Sequence, residues 1–458
     1  MIHAELRRGP PARRGGARRA LAMGTTALVA LAVAACGGCA FSGNPAEDKP
    51  DQGPSVAVTA PAAPNAVGRW SAVAAATING SGSAAVTAEE RRPNTSLDMA
   101  TVHLAIYDAL MAVTGTHRPF ALAPQPPQAG ASEQAAVAAA AYRVLAALFP
   151  NRTAHFQAAY DHSLAGIGEG DAKARGLALG ESAAAAVLRR RQNDNRSVTP
   201  QPYLSGTEAG QFRTANPAAL VNHYLPHVRP FVLQQAAQFR PAGPPALASE
   251  AYAASFNETR SLGAAASSTR SAGQTDTARF HTEPPPRFWT RNLLPFASQP
   301  ATLGESARLM ALLWVAHADA TIACFEAKYH YKAWRPLSAI PMANDDGNAA
   351  TEPDAAWAPV VPTPNHPEYP AAHSCAAAAV AEALRSFYGT RQVRFGFDSQ
   401  VAGLADGRRG YASTTAMVEE LQLARIWGGM HFRYATEDGA TLGRQVARWV
   451  ATQQFQPR

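Results

Sequence analysis

Lysine is nearly missing from this chain. Of 41 basic residues in 458, only Lys49, Lys173, Lys328 and Lys332 are lysines. No lysine-rich tract exists of the kind that grips nucleic acid. Cysteine is equally sparse at four, which excludes a disulfide-built scaffold. Charged residues make up only 16%, which excludes a disordered polyelectrolyte, and the 47% of hydrophobic residues is ample for a core. Past residue 35 nothing approaches eighteen consecutive apolar residues, so no internal membrane span is expected. No sustained strand-like alternation and no solenoid-type repeat is visible.

What is present begins with an address. Residues 1–35 hold six arginines (Arg7, Arg8, Arg13, Arg14, Arg18 and Arg19) and one acid, Glu5, followed by a small, apolar run. This is the layout of an export signal. It ends in Val33-Ala34-Ala35-Cys36, similar to a bacterial lipobox, with Cys36 as the lipid acceptor. The expected location is the cell envelope, with the membrane reached only through an N-terminal lipid anchor. The formal charge of +7 is largely this signal; the remainder has 35 basic and 33 acidic residues, or +2. A nucleic-acid partner is therefore not expected.

Residues 36–68 are rich in Pro, Ala, Gly and Ser and read as a flexible linker. Residues 69–300 read as an N-terminal helical half. Met99, Val102, Ile106, Leu110 and Val113 mark one helix face, and alanine-rich helices are expected at 133–149, 153–165 and 171–192. Breakers crowd 193–300, which reads as long connections with short helices at 249–262 and 274–281. Residues 301–458 read as a C-terminal bundle, with helices at 303–334, 373–387, 414–429 and 437–454. The expected fold class is all-α, two helical bundles packed as one unit.

Three segments of the C-terminal half carry chemistry. In Lys328-Tyr329-His330-Tyr331-Lys332-Ala333-Trp334-Arg335-Pro336, Lys328 and Arg335 stand seven residues apart. Two helical turns would put them on one face, joining a point charge to a planar fork. In Tyr369-Pro370-Ala371-Ala372-His373-Ser374 a loop enters a helix, whose first-turn amides favour anions, with His373 placed for proton exchange. In Ala424-Arg425-Ile426-Trp427-Gly428-Gly429-Met430-His431, Arg425 adds a second fork and His431 an imidazole ligand or nucleophile. A single histidine or arginine is more often structural. Together, three cations and two histidines around one helix start make a site for a multiply charged anion.

These segments resemble the signature shared by vanadium-dependent haloperoxidases and type 2 phosphatidic acid phosphatases, and the exported bacterial haloperoxidase-like branch in particular. The stretches at 103–113, 228–247 and 257–280 extend the resemblance over about residues 69–458. It implies one vanadate per chain, bound through His431. Lys328, Arg335, Arg425 and the amide of Ala372 would hold its oxygens, and His373 would be the acid–base group. Hydrogen peroxide and a halide would be the substrates. His366 and Phe325 would flank the halide, and a histidine at position 366 leans toward bromide or iodide over chloride. The same frame in the phosphatase branch would hydrolyse a phosphate ester, with no cofactor, through attack by His431. A third possibility is an anion-binding envelope lipoprotein of weakened chemistry.

The chain departs from the pattern at Ala371 and Ala372, which replace Ser and Gly, and at Ala424, which replaces Ser. Ala435 stands where an Asp normally orients the last histidine; Glu437 and Asp438 are candidate substitutes. Cys324 and Cys375 flank the motifs and would, if the chain is exported, be able to form a disulfide.

Overall fold

The computed structural model describes residues 54–59, 63–80 and 95–458. The export signal and Cys36 lie outside the described residues. Among these residues thirteen α-helices dominate. They are α1 (Ala66–Asn79), α2 (Thr95–Thr114), α3 (Glu133–Leu148), α4 (Thr153–Ala165), α5 (Asp171–Arg191), α6 (Glu250–Gly263), α7 (Ala272–Phe280), α8 (Pro285–Leu293), α9 (Leu303–Tyr331), α10 (Pro336–Ala339), α11 (Ala372–Tyr388), α12 (Thr414–Trp427) and α13 (Arg433–Gln453). Three short strands accompany them: β1 (Val56–Ala57), β2 (Val393–Asp398) and β3 (Arg408–Tyr411).

Helices α2 and α9 pack on each other at the centre, with α3 and α5 beside α2, and α11 and α13 beside α9. Both central helices are long and apolar enough to cross a membrane by composition, yet 94% and 89% of their apolar windows are buried inside the fold. Each carries a buried carboxylate that holds a distant loop. Asp108 on α2 accepts the backbone amides of Phe120, Ala121 and Leu122 at 2.6, 2.7 and 2.8 Å. Asp319 on α9 accepts those of Phe231, Val232 and Leu233 at 2.7, 2.8 and 3.0 Å. Each loop enters as Arg-Pro-Phe, and each Phe ring lies under an arginine of α5: Arg190 at 4.3 Å and Arg191 at 3.8 Å. Burial lifts the Asp108 carboxyl to about 6, against the pull of its three amide bonds.

Glycines set two of the closest helix pairs. A Cβ on Gly176 or Gly180 of α5 would stand 2.3 or 2.4 Å from a carbonyl of Ser132 or Ala136. A Cβ on Gly439 or Gly443 of α13 would stand 2.7 or 2.1 Å from a carbonyl of Ala371 or Cys375. The α11–α13 contact fixes the helix start that carries His373. Gly443→Ala is expected to cost about 1–3 kcal/mol of stability, since backbone must move to admit the methyl. Urea unfolding of the variant beside the parent measures this, and an unchanged midpoint would contradict it.

The expectation of an all-α chain needs one amendment. β1 pairs with β2 in parallel and β2 with β3 antiparallel, forming a small sheet. Val393, Phe395 and Phe397 are buried and alternate with Arg394, Gly396 and Asp398. That period of two spans only six residues, too short to stand out. The expected linker also ends earlier than residue 68. Val56–Ala57 joins the sheet, and Asn65 caps α1 by accepting from the Gly68 amide. Pro285 and Pro286 read as breakers but open α8, where a missing amide costs nothing.

His103 on α2 is fully buried, 2.9 Å from the Ser71 hydroxyl, and burial lowers its pKa to about 3. The unfolded chain, with an ordinary histidine near 6.5, takes up this proton as pH falls and the folded chain does not. Stability therefore falls below pH 6.5, by up to ~1.4 kcal/mol per pH unit from this group, until about pH 3. His103→Asn is expected to remove that increment from the pH dependence of urea unfolding between pH 6 and 4. Parallel profiles for parent and variant would refute the assignment.

Candidate functional site

The three cationic side chains converge, but not by the route expected. Lys328 lies in the last turn of α9, and the chain then reverses at Lys332, which takes a left-handed φ of 51°. Arg335 is extended, with ψ 156°, immediately before Pro336. The expected helix through 334 is corrected: α9 ends at Tyr331, where Lys332 takes the left-handed cap conformation, and Pro336 separately keeps Arg335 extended. The turn, not a shared helix face, brings Arg335 back beside Lys328.

The Lys328 ammonium donates to the carbonyls of Pro367 and Glu368, both at 2.9 Å. An ammonium has three donors, so one remains for a further acceptor. Arg335 donates through Nε to the His366 carbonyl at 2.9 Å, through Nη1 to the Met430 carbonyl at 2.7 Å and His431 Nε2 at 3.0 Å, and through Nη2 to His366 Nδ1 at 2.9 Å. Arg425, in the last turn of α12, donates to the His281 carbonyl at 3.0 Å and contacts Met430 Sδ at 2.8 Å. Its Nε is buried without a partner.

Gly428 and Gly429 end α12, and Gly429 turns with φ 74°. A Cβ there would lie 2.6 Å from the Gly263 carbonyl, so the close approach of backbones requires glycine. His431 follows in the short turn between α12 and α13. Its Nδ1 lies 3.0 Å from Glu368 Oε1. Because a guanidinium only donates, the Arg335 contact makes Nε2 the acceptor, and Nδ1 carries the hydrogen.

Lys328, Arg335, Arg425, His431 and Glu368 are 0, 2, 1, 1 and 0% exposed. Burial lowers the pKa of Lys328 to about 8 and holds His431 and His366 well below the usual imidazole range, with the neighbouring cations adding to the effect. Burial lifts the Glu368 carboxyl to about 7, against Lys328 and Arg335. His373, in the first turn of α11, is partly exposed beside Ala372. Burial and then Arg425 depress its pKa well below 6.5, so its imidazole is neutral. Ala371 precedes α11 and has no side chain with which to cap it, so the first-turn amides lack a side-chain partner there. Phe325 meets His366 edge-on at 5.2 Å, 6.0 Å from the Lys328 nitrogen.

Of the three buried cations, Lys328 and Arg335 act on one carboxylate, Glu368, which binds the far side of the His431 ring, and among the described residues Arg425 has no carboxylate bonded to it. Such a site is short of negative charge, and its donors match an oxyanion. Among the described residues no group of three or more His, Cys, Asp or Glu side chains is placed to hold a metal cation.

One expectation is corrected. Neither Glu437 nor Asp438 reaches His431: Asp438 accepts from the Tyr369 hydroxyl at 2.5 Å, and Glu437 lies 3.8 Å from Arg433. Ala435 packs in an apolar cluster with Ala333 and Tyr369. Cys324 and Cys375 are buried free thiols brought together at the α9–α11 contact, where the two side chains hydrogen-bond to each other, and Cys324 Sγ also lies 3.7 Å from the Pro370 carbonyl.

Two residues were missed. Glu368 had no motif to mark it. His281, just after α7, gives its carbonyl to Arg425 and its Nε2 to Glu420 at 3.0 Å, while Tyr411 donates to the same carboxylate oxygen at 2.8 Å. Its position within a breaker-rich stretch left no periodic signal.

The arrangement of helices has parallels in known proteins. Residues 308–457 match the family model of the VCPO second helical-bundle domain. The chain is similar in structure to a bacterial vanadium-dependent iodoperoxidase, with a TM-score of 0.64 and 22% identity, covering 85% of this chain and 95% of that one. It is also similar to a bacterial vanadium-dependent chloroperoxidase in apo and holo forms. Both TM-scores are 0.61, identities are 14% and 16%, and 81% and 82% of this chain and 94% and 95% of theirs are covered. No curated protein sequence matches. The fold is shared with these solved structures, and the C-terminal bundle resembles the VCPO second helical-bundle domain over residues 308–457.

Proposed function

We propose that this chain is a vanadate-dependent haloperoxidase that uses hydrogen peroxide to oxidise a halide, bromide or iodide in preference to chloride. One observation carries the reading. His431 Nε2 is the accepting nitrogen, facing three buried cations and taking a bond from Arg335 Nη1 at 3.0 Å that a ligand would replace, with its hydrogen held on the opposite nitrogen by Glu368. That is the donor set for an oxyanion that also accepts one imidazole nitrogen. His431 Nε2 would be the ligand. Arg335, Arg425, the third donor of Lys328 and the Ala372 amide would hold the oxygens. Bound vanadate supplies Lewis-acid activation of the peroxide. The ring of His373, at the partly exposed rim, would accept a proton from hydrogen peroxide and hold it for return to a departing hydroxide, which leaves as water. His366, pinned by Arg335 and Phe325, lines the wall beside Lys328.

Hydrolysis of a phosphate ester on the same frame is the second reading. The near-complete burial of the four anion-facing groups disfavours a bulky ester. An exported, lipid-anchored location through Cys36 is also proposed, on the N-terminal pattern alone. The test compares vanadate-dependent bromide and iodide oxidation with phosphomonoester hydrolysis in one preparation. Halide oxidation that requires both vanadate and peroxide supports the first reading. Hydrolysis that vanadate inhibits, without halide oxidation, supports the second.

A further inference from the structure

Glu368 ties three segments of the site together. Its side chain is fully buried, and Oε1 accepts from His431 Nδ1 and from the Phe432 amide, both at 3.0 Å. Its backbone carbonyl accepts from the Lys328 ammonium at 2.9 Å, and its own amide donates to the Ala333 carbonyl at 2.9 Å. Oε2 has no partner. One residue of the loop before α11 therefore sets the ring of His431 and the end of Lys328 at once.

The resembling pattern places an orienting Asp four residues after the last histidine, on the first turn of the following helix. Here that position is Ala435, buried among apolar neighbours, and the next acids are engaged elsewhere. We infer that Glu368 is the positioning residue of this site, fixing the orientation of the His431 ring from the side opposite Arg335, whose contact at Nε2 already sets the tautomer. The functional consequence rests on the proposed ligand role of His431; the orientation does not.

Two effects of the carboxylate oppose each other. Accepting from Nδ1 makes Nε2 a better ligand, while its negative charge repels a bound anion. The imidazole ring stands between Glu368 and the anion side, so orientation is expected to outweigh repulsion. Variants separate the two. Glu368→Gln keeps an accepting oxygen and removes the charge. Glu368→Ala removes both. Glu368→Ala combined with Ala435→Asp returns a carboxylate to the position of the pattern.

The full chain, labelled with 15N-histidine, is titrated with orthovanadate by equilibrium dialysis, and the His431 Nδ1–H hydrogen bond is read without vanadate from the shift and solvent exchange of its imidazole proton. Glu368→Ala is expected to weaken vanadate binding roughly 10–100-fold and to move the Nδ1–H resonance upfield with faster exchange. Glu368→Gln is expected to keep the Nδ1–H bond and stay within about fivefold of the parent. The double variant is expected to recover most of the loss. The inference is overturned if Glu368→Ala leaves the Nδ1–H resonance unchanged. It is also overturned if Glu368→Gln binds vanadate more tightly than the parent, which would make charge the main effect. If Glu368→Ala does not fold, the Glu368→Gln arm decides. A parent that binds no vanadate but whose Nδ1–H resonance depends on Glu368 would refute the proposed function and leave the positioning role standing.

Discussion

His431→Ala is expected to lose vanadate binding by more than a hundredfold, and halide oxidation with it. A partner behind a metal-binding histidine is worth roughly 10–100-fold in affinity, and the ligand itself must exceed that. The fold is expected to survive. Without the ring, Glu368 Oε1 still accepts from the Phe432 amide, and Arg335 still donates to the Met430 and His366 carbonyls. The three cations also remain, so phosphate, held by charge and donors alone, is expected to bind His431→Ala within a few-fold of the parent. The split between vanadate and phosphate is the informative result. Equal losses for both would mean that the substitution has damaged the pocket and not removed a ligand.

The second large effect is expected at His373. Its ring is neutral and lies at the rim, while the other anion-facing groups are buried. Removing an acid–base group costs typically about 10²–10⁴ in rate. Removing this side chain leaves the α11 backbone in place, because Gly439 and Gly443 of α13 hold that helix start. His373→Ala is therefore expected to lower kcat for halide oxidation by about 10²–10⁴ while vanadate affinity changes less than about threefold. Equilibrium dialysis beside steady-state kinetics checks this. A parallel collapse of binding would assign His373 to holding the anion.

Much of this site is legible in the sequence because it lies in contiguous segments. Lys328, Arg335, His373, Arg425 and His431 each carry a chemically narrow residue type at a fixed offset from Pro or Gly. The alanine-rich helices are legible for the same local reason, and α4 lies at 153–165 as expected. What is not legible depends on contacts between segments. Glu368 reaches His431 across 63 residues, and nothing local distinguishes it from Glu437 or Asp438. The path of the chain through Lys332 was partly available, since Pro336 already disfavours a helical Arg335. The small sheet was also partly available in Val393-Arg394-Phe395-Gly396-Phe397-Asp398, where bulk alternates over one short strand. The carboxylate clamps at Asp108 and Asp319 were not, since a buried aspartate is recognised only by the amides that surround it.

The most direct test of the account is bromide oxidation by the full chain, assayed with and without orthovanadate in the presence of hydrogen peroxide. The account predicts turnover that appears only when vanadate and peroxide are both supplied, and that disappears in His431→Ala. Bromide oxidation independent of vanadate, or vanadate acting only as an inhibitor of phosphate-ester hydrolysis, would contradict it.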